Sequence, residues 1–319
     1  MALHPMTQPW LTVIMPIYNG GDTLDATLSS LDGQCEGLEI VAVNQGSTDN
    51  SRELLEAARS RLPIRIIDNP DAKSWTENTN LGLREAASSL ITMLHQDDIW
   101  LPGRAALLKE MSSRYPNVDI WVHGANLIDL KGNTVGHMYP PFGGAQRVIS
   151  FEEALSYLIV QNTVALPAVM FRRDAAMRKG GLDEDLWYTA DWDLWLSLAQ
   201  NGLAWDPTCA ASFRIHAASQ TMTGSRDLQS FKRQLKIPME RHLVHLPDDL
   251  RKIARKRADT ANALNICLAS LHHRRLRGCG SALKAIISLG PLEWREFITR
   301  SQIVNRLVPR LKLALKRGT

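Results

Sequence analysis

Two adjacent aspartates, Asp97 and Asp98, follow an apolar segment, Leu90–Leu94, that has the length and composition of a buried strand. Carboxylates at the end of a strand can bind a hard divalent cation that also contacts phosphate oxygens. The competing interpretation is that the pair caps a helix whose first turn holds Pro102. Taken alone, the pair favours the capping role, and a metal site is indicated only together with other segments.

Polar residues also follow two earlier apolar runs, and another pair precedes the aspartates. These sets are Tyr18-Asn19-Gly20 after Leu11–Pro16, Asn44-Gln45-Gly46 after Leu38–Val43, and His95-Gln96. In an open α/β sheet, ligands bind at the carboxyl ends of the strands. The sequence therefore predicts that these side chains share one site.

Strand-like and helix-like segments alternate over more than a hundred residues. Further strands are predicted at 64–67, 119–125, 168–171 and 213–216, and helices at 22–31, up to about 62, 76–87, after Pro102, from Asp191 to Asn201, and from about Leu228 onward. Residues 126–165 are predicted to be a less regular excursion. This alternation predicts an α/β fold with a mostly parallel sheet flanked by helices, followed by a helical extension.

Composition and charge exclude several classes of protein. The 319 residues contain no apolar stretch long enough to span a membrane and no leader-like start, and the four scattered cysteines predict reduced thiols, with no disulfide frame and no zinc site. A cytoplasmic protein is therefore expected. Residues 1–218 hold 16 Lys and Arg against 26 Asp and Glu, whereas residues 219–319 hold 21 against 7. This asymmetry predicts two roles, one for an acidic front that carries the carboxylate motifs and another for a basic back.

Six ordered segments resemble the motifs of family 2 glycosyltransferases. They are Thr12–Gly20, Val41–Asp49, Asn80–Ala87, Met93–Pro102, Thr189–Leu196 and Arg214–His216. The resemblance implies a GT-A fold over residues 1–220, with a basic helical region over 221–319. It also implies an inverting enzyme that moves a sugar from a nucleotide-sugar donor to a saccharide or lipid-linked acceptor, in the synthesis of bacterial-type surface polysaccharides or glycolipids.

The resemblance also implies roles for individual residues. Asp191 matches the family's catalytic base, with capping of the following helix as the structural alternative. Asp97 matches the metal-binding aspartate of the D-x-D motif, and the metal site would hold Mn²⁺ or Mg²⁺ through Asp97, Asp98 and His216. Donor-binding residues are expected to be Pro16, Tyr18, Asn19, Asn44, Gln45, Glu77, His95 and Gln96, and acceptor-binding residues Trp192 and Asp193. For His216 and Glu77 a purely structural role is the alternative.

This sequence departs from the family pattern at four positions. Asn44 and Gln45 replace aspartates, His95 replaces the first aspartate of D-x-D, and Ala190 replaces the glutamate that precedes the base. Amides still form hydrogen bonds, so a donor pocket can persist with an altered base preference. The same losses motivate a second hypothesis, a non-catalytic binding module with this fold. A nucleotidyltransferase or dinucleotide-binding enzyme ranks lower because no G-x-G-x-x-G and no P-loop follow the first strand.

The basic C-terminal segment, residues 274–317, interleaves arginine and lysine with apolar residues. Ile303, Leu307, Leu311 and Leu315 recur every four residues, and Pro309 interrupts the run. A basic amphipathic helix can lie on an anionic membrane. We therefore expect an anionic membrane surface as a partner, at the inner face of the cell membrane. The alternative is a helix whose stripe packs on the catalytic domain. No nucleic-acid motif is present, so no nucleic-acid partner is expected.

Overall fold

A computed structural model describes residues 8–216, 224–273, 275 and 278–315, and for residues 310–315 it describes the backbone alone. Residues 11–93 alternate strands and helices. In order these are β1 (Leu11–Ile17), α1 (Leu24–Ser29), β2 (Leu38–Asn44), α2 (Ser51–Ala58), β3 (Ile64–Asp68), α3 (Trp75–Glu85) and β4 (Leu90–Met93). All seven residues of β1 are buried. Burial on both faces explains why this strand is a continuous apolar run.

The chain continues with strands and helices of varied length. These elements are β5 (Ile99–Trp100), α4 (Arg104–Arg114), β6 (Ile120–Ile128), β7 (Thr134–Met138), β8 (Arg147–Ile149), α5 (Phe151–Leu158), β9 (Val169–Arg172), α6 (Arg173–Arg178), α7 (Ala190–Leu198) and β10 (Leu203–Arg214). The predicted irregular excursion, 126–165, therefore contains two strands and a helix. The late strand was predicted too short, because β10 begins at Leu203 and is broken by register shifts near Cys209.

The ten strands form one mixed sheet. Its main path runs β3-β2-β1-β4-β9-β6-β10-β5, with β7 paired to β6 and β8 paired to β10. Strands β1 to β4 are parallel to one another, whereas β9 is antiparallel to both of its neighbours. Parallel β1, β2 and β4 end at the same edge, so the polar residues that follow them converge there.

Five helices complete the described part of the chain. They are α8 (Leu228–Leu243), α9 (Asp248–His272), α10 (Cys279–Leu289), α11 (Pro291–Ser301) and α12 (Ile303–Leu315). Buried residues of this region, including Met239, Leu243, Ala258 and Phe297, belong to the same apolar cluster as Ile14 of β1. The helical extension therefore shares a core with the sheet. Among the described helices, none has both the length and the apolarity to cross a membrane.

The last helix, α12, packs on the sheet domain. Its Pro309 is buried, and a Cβ on Gly136 of β7 would lie 2.5 Å from Pro309 Cγ. Ile303 and Leu307 are half-buried, while the side chains of Leu311 and Leu315 lie outside the described residues. For the described part of the stripe, this arrangement favours the alternative of a helix packed on the catalytic domain.

Candidate active site

A cavity of about 810 Å³ opens at the carboxyl ends of β1, β2 and β4. Most of the residues predicted for the site line it: Pro16, Tyr18, Asn19, Gln45, His95, Gln96, Asp97, Asp191, Trp192 and His216. Asn44, Glu77, Asp98 and Asp193 do not belong to this lining. The structure thus brings together segments that are as far apart in sequence as β1 and α7.

Asp97 and His216 meet on the wall of the cavity. His216 Nε2 lies 3.0 Å from Asp97 Oδ2, and both side chains are partly exposed. Arg214, two residues earlier, holds the two segments together because its Nε donates to the Asp97 carbonyl at 2.7 Å and its backbone N–H donates to Asp98 Oδ1 at 3.1 Å. The end of β10 therefore fixes the loop that carries Asp97.

An oxygen and a nitrogen ligand at this spacing fit a divalent cation such as Mn²⁺. In the described residues, no group of three or more His, Cys, Asp or Glu side chains could hold a metal by itself. Cations of this class commonly take one or two protein ligands and complete their shell with phosphate oxygens and water. Asp97 and His216 would therefore hold the cation together with a bound diphosphate.

Asp98 does not occupy the position that the sequence predicted for a metal ligand. Its side chain is fully buried beneath the cavity and accepts the hydrogen bond from the Arg214 backbone. Burial raises the pKa of Asp98 well above its ordinary range, and the nearby Asp97 carboxylate raises it further. We therefore reassign Asp98 to a structural role, fixing the end of β10.

Asp191 lies in the first turn of α7 and faces the cavity. Burial raises its pKa to about 6, while hydrogen bonds from the Trp192 backbone and the Asn162 side chain oppose this shift. Asn162 Nδ2 donates to Asp191 Oδ2 at 3.0 Å, and Asn162 Oδ1 accepts from the Val164 backbone at 3.2 Å. A carboxylate with this pKa is ionised at neutral pH and can still accept a proton, as a general base must.

Gln96 orders the backbone at the end of β1. Gln96 Oε1 accepts from the Tyr18 backbone N–H at 2.7 Å, and Gln96 Nε2 donates to the Tyr18 carbonyl at 3.0 Å. Asn19 has φ 48°, and its Oδ1 accepts from the Thr48 backbone at 2.9 Å. These polar groups therefore shape the cavity wall and leave the exposed Tyr18 ring facing the ligand space.

Gln45 lines the cavity, but its amide is held in place by its neighbours. Its Nε2 donates to the Ala72 carbonyl at 3.0 Å, and its Oε1 accepts from Asn78 at 2.9 Å. His95 packs edge-on against Trp75 with ring centroids 5.2 Å apart. Burial lowers the pKa of His95, which favours its neutral form. Its Nε2 has no hydrogen-bond partner in the described structure.

Asn44 and Glu77 are engaged outside the cavity. Asn44 Nδ2 donates to Asp68 Oδ1 at 3.0 Å, which is a reason for an amide where the family has a carboxylate. Glu77 lies at the start of α3, where its carboxylate accepts from the Lys73 backbone at 2.9 Å. Its geometry matches the helix-terminus alternative rather than a donor contact.

The predicted acceptor residues of α7 face the protein interior. Trp192 belongs to the cavity lining, but it is buried and its indole nitrogen donates to the Leu158 carbonyl at 2.8 Å. Asp193 is buried and accepts from Arg241 at 2.6 Å and from His242 at 3.0 Å. The reason is helical geometry: in this first turn, Asp191 points into the cavity and Asp193 points toward α8.

Several lining residues were not predicted from the sequence. They are Trp75, Tyr139, Asn162, Trp187, Tyr188, Gln302, Asn305 and Arg306. Trp187 and Tyr188 stand directly before the segment that carries Asp191, so their position was a usable signal. Gln302, Asn305 and Arg306 come from the end of α11 and from α12, and no local pattern links that helix to the cavity.

Sequence comparisons show which known proteins this chain is similar to. The sequence model described as Glycosyl transferase family 2 matches residues 12–177. An uncharacterised glycosyltransferase of Rickettsia prowazekii is 26% identical over 229 residues, 70% of either chain. The Escherichia coli UDP-Glc:alpha-D-GlcNAc-diphosphoundecaprenol beta-1,3-glucosyltransferase WfgD is 25% identical over 227 residues, 70% of this chain and 83% of that protein.

Two solved structures have the same fold at low sequence identity. Residues 1–349 of Staphylococcus aureus TarS with UDP-GlcNAc superpose with a TM-score of 0.58 at 12% identity, covering 90% of this chain and 92% of that one. The Pyrobaculum calidifontis mannosyltransferase PcManGT with GDP-Man and Mn²⁺ gives 0.56 at 15% identity, covering 96% and 87%. These matches confirm the predicted GT-A fold.

Proposed function

This chain belongs to glycosyl transferase family 2 and is a glycosyltransferase, and we propose that it moves a sugar from a nucleotide-sugar donor to a hydroxyl group of a lipid-linked saccharide, with inversion. The observation that carries the proposal is the arrangement of one cavity: Asp191, a carboxylate with a pKa of about 6, faces the same space as the Asp97–His216 pair. One group accepts a proton and the other neutralises a diphosphate.

The proposed reaction is a single displacement. The acceptor hydroxyl oxygen attacks the anomeric carbon as the bond from that carbon to the diphosphate breaks, and the leaving diphosphate takes the bonding electrons. Asp191 accepts the hydroxyl proton, so atoms and charges balance without a covalent sugar–enzyme intermediate. Asn162 holds the second carboxylate oxygen, which fixes the direction of the accepting one.

Asp97 and His216 would hold a divalent cation, Mn²⁺ or Mg²⁺, which when bound stabilises the negative charge on the departing diphosphate. The fixed geometry of Arg214, which ties both segments together, keeps these two groups in place. The donor side is formed by Tyr18 and Gln45. Both line the part of the cavity that would hold the nucleoside.

The acceptor side of the cavity is aromatic. Trp75, Trp187 and Tyr188 line it, and the indole nitrogen of Trp75 donates to the Trp187 carbonyl at 3.0 Å. Aromatic faces of this kind stack on sugar rings. The Escherichia coli relative acts on a lipid-linked saccharide, which supports an acceptor of this class here. We therefore propose a role in surface polysaccharide or glycolipid synthesis at the inner face of the cell membrane.

The test measures the release of nucleoside diphosphate from UDP-, GDP- and dTDP-sugars. The assay contains Mn²⁺ and, as the acceptor, a saccharide on a polyprenyl diphosphate. We expect one donor to support transfer, and the substitution Asp191→Asn to lower the rate by about 10³-fold. The matched control is Asp185→Asn, which changes an exposed aspartate outside the cavity and should leave the rate unchanged. Donor binding by the wild-type chain without turnover of any donor would instead support the non-catalytic alternative.

A further inference from the structure

The hairpin of α10 and α11 exposes a cluster of large apolar side chains. Leu283, Ile287, Leu292, Trp294 and Ile298 form this cluster, which we call the hairpin patch. Leu292 is 93% exposed and Ile287 is 64% exposed. Spacing of four residues places Leu283 with Ile287 on one helix face, and Trp294 with Ile298 on another. Apolar exposure this concentrated is typical of an interaction surface.

The outward orientation of the hairpin patch is fixed by the packing behind it. A different set of apolar residues, Ala282, Leu289 and Phe297, is buried on the inner side of the same two helices. The Trp294 indole nitrogen donates to the Ile286 carbonyl at 2.9 Å, which ties α11 to α10. The patch residues are therefore surplus to the core, and the hairpin presents them on a rigid support.

The charges around the hairpin patch are positive. Lys284 and Arg295 are exposed, and neither has a hydrogen bond or ion pair within the described part of the chain. The two acidic residues of α11 are already paired, Glu293 with Arg257 at 2.5 Å and Glu296 with Arg300 at 3.0 Å. The outward face thus combines apolar side chains with unpaired cations.

We propose that the hairpin patch is the surface through which this enzyme docks on an anionic lipid bilayer. Leucine, isoleucine and tryptophan enter the boundary between headgroups and acyl chains, and Lys284 and Arg295 meet the lipid phosphates. A second copy of the chain fits this face less well, because a twofold contact would bring the same cations together.

Docking here has a consequence for the acceptor, and this step rests on the proposed function. Gln302 directly follows α11, and Gln302, Asn305 and Arg306 all line the cavity. We assign this wall of the cavity to the acceptor, and bilayer contact through α11 holds it close to the lipid phase. A sugar on a lipid-linked diphosphate would reach the cavity without leaving the membrane.

Flotation of the full chain with lipid vesicles tests the proposal without requiring activity. Vesicles of phosphatidylcholine alone are compared with vesicles containing about one third phosphatidylglycerol. We expect binding to the anionic vesicles, reduced at least about tenfold by Ile287→Asp with Leu292→Asp. Lys284→Gln with Arg295→Gln should weaken binding to the anionic vesicles more than binding to the neutral ones.

The matched control is Val244→Asp with Met177→Asp. Val244 is 61% exposed, close to the value for Ile287, and both control residues lie outside α10 and α11. This pair adds the same charge and should bind vesicles within about twofold of wild type. Equal losses in the two double variants, or no binding by the wild type, would overturn the proposal.

Two further readouts separate this proposal from its alternatives. A wild-type dimer that becomes a monomer in Ile287→Asp with Leu292→Asp, without vesicle binding, would assign the patch to self-association instead. Donor turnover with a soluble acceptor should be unchanged in the patch variant, since none of its residues lines the cavity. Vesicle binding by a chain that transfers no sugar would contradict the proposed function but would still support the docking surface.

Discussion

Asn162 Nδ2 donates a hydrogen bond to Asp191 Oδ2 at 3.0 Å, and this bond fixes the orientation of the candidate base. This bond favours the ionised carboxylate and opposes the effect of burial on the Asp191 pKa. Asn162 is therefore a positioning residue that also adjusts the proton affinity of the base.

The first prediction concerns pH. Because Asp191 must be ionised to accept a proton and its pKa is about 6, kcat/KM should rise with pH through about 6 and then level off. Asn162→Ala removes a hydrogen bond to the ionised form, so the rising limb should move to higher pH by about one unit. The pH profile of donor turnover measures this shift. Asn201→Ala is the matched control, because its amide donates to the Asp119 carboxylate at 2.8 Å outside the cavity, and it should leave the limb in place. Equal profiles for Asn162→Ala and wild type would contradict the assignment.

The second prediction concerns stability. A buried carboxylate with a raised pKa destabilises the folded state when it is ionised. This destabilisation is fully present above pH 6, and it fades as the pH falls toward 3.8, the pKa of the carboxyl group in the unfolded chain. Asp191→Asn removes the charge, so it should raise the free energy of unfolding by on the order of 1–3 kcal/mol at pH 8 and by little at pH 4. Denaturant unfolding at the two pH values measures this; destabilisation at pH 8 would show that the Asp191 charge is compensated.

The third prediction separates the two adjacent aspartates. Asp97 lines the cavity beside His216, whereas Asp98 is buried and accepts from the Arg214 backbone. Asp97→Asn should raise the Mn²⁺ concentration needed for half-maximal donor turnover by about 10- to 100-fold. Asp98→Asn keeps an acceptor oxygen and should change that concentration by less than about threefold. Mn²⁺ titration of turnover measures both. A larger effect of Asp98→Asn than of Asp97→Asn would indicate that Asp98 is a metal ligand after all.

Some parts of the site could be predicted from the sequence, and others could not. The segments after β1 and β4 were placed correctly at the cavity, because apolar runs followed by polar residues indicate strand ends. Asp193 was misplaced, since spacing along a helix does not say which of two carboxylates in one turn faces the cavity and which meets Arg241. Arg306 was out of reach for another reason: its place at the cavity depends on how α12 packs on β7, a contact between segments more than 160 residues apart.

The departures from the family pattern also depend on tertiary contacts. Asn44 donates to Asp68, which in turn pairs with Arg52 at 2.5 Å. The Asn44 hydrogen bond lowers the pKa of Asp68, and the Arg52 guanidinium lowers it further. The sequence alone showed a missing carboxylate at position 44, and the structure supplies the neighbouring carboxylate that makes an amide favourable there.

The fourth prediction follows from this pair. Asn44→Asp replaces the donor with a second carboxylate at hydrogen-bond distance from Asp68, so it should lower the free energy of unfolding by about 1–3 kcal/mol at neutral pH. Adding Asp68→Asn restores one donor and one acceptor and should recover most of the loss. A double-mutant cycle by denaturant unfolding measures the coupling. Additive effects of the two substitutions would mean that the hydrogen bond contributes little.

The fifth prediction tests whether α12 forms the acceptor wall of the cavity. A Cβ on Gly136 would lie 2.5 Å from Pro309 Cγ, closer than side chains tolerate, so Gly136→Ala should displace α12 and with it Asn305 and Arg306. We expect the acceptor KM to rise by about 10-fold, with the donor KM within about twofold of wild type, because the donor wall comes from β1 and β2. Steady-state kinetics with each substrate varied in turn measures the two constants. Gly144→Ala is the matched control, since a Cβ there meets no atom within 4 Å. Equal rises in both KM values would indicate a general loss of structure, and no rise in either would remove α12 from the acceptor site.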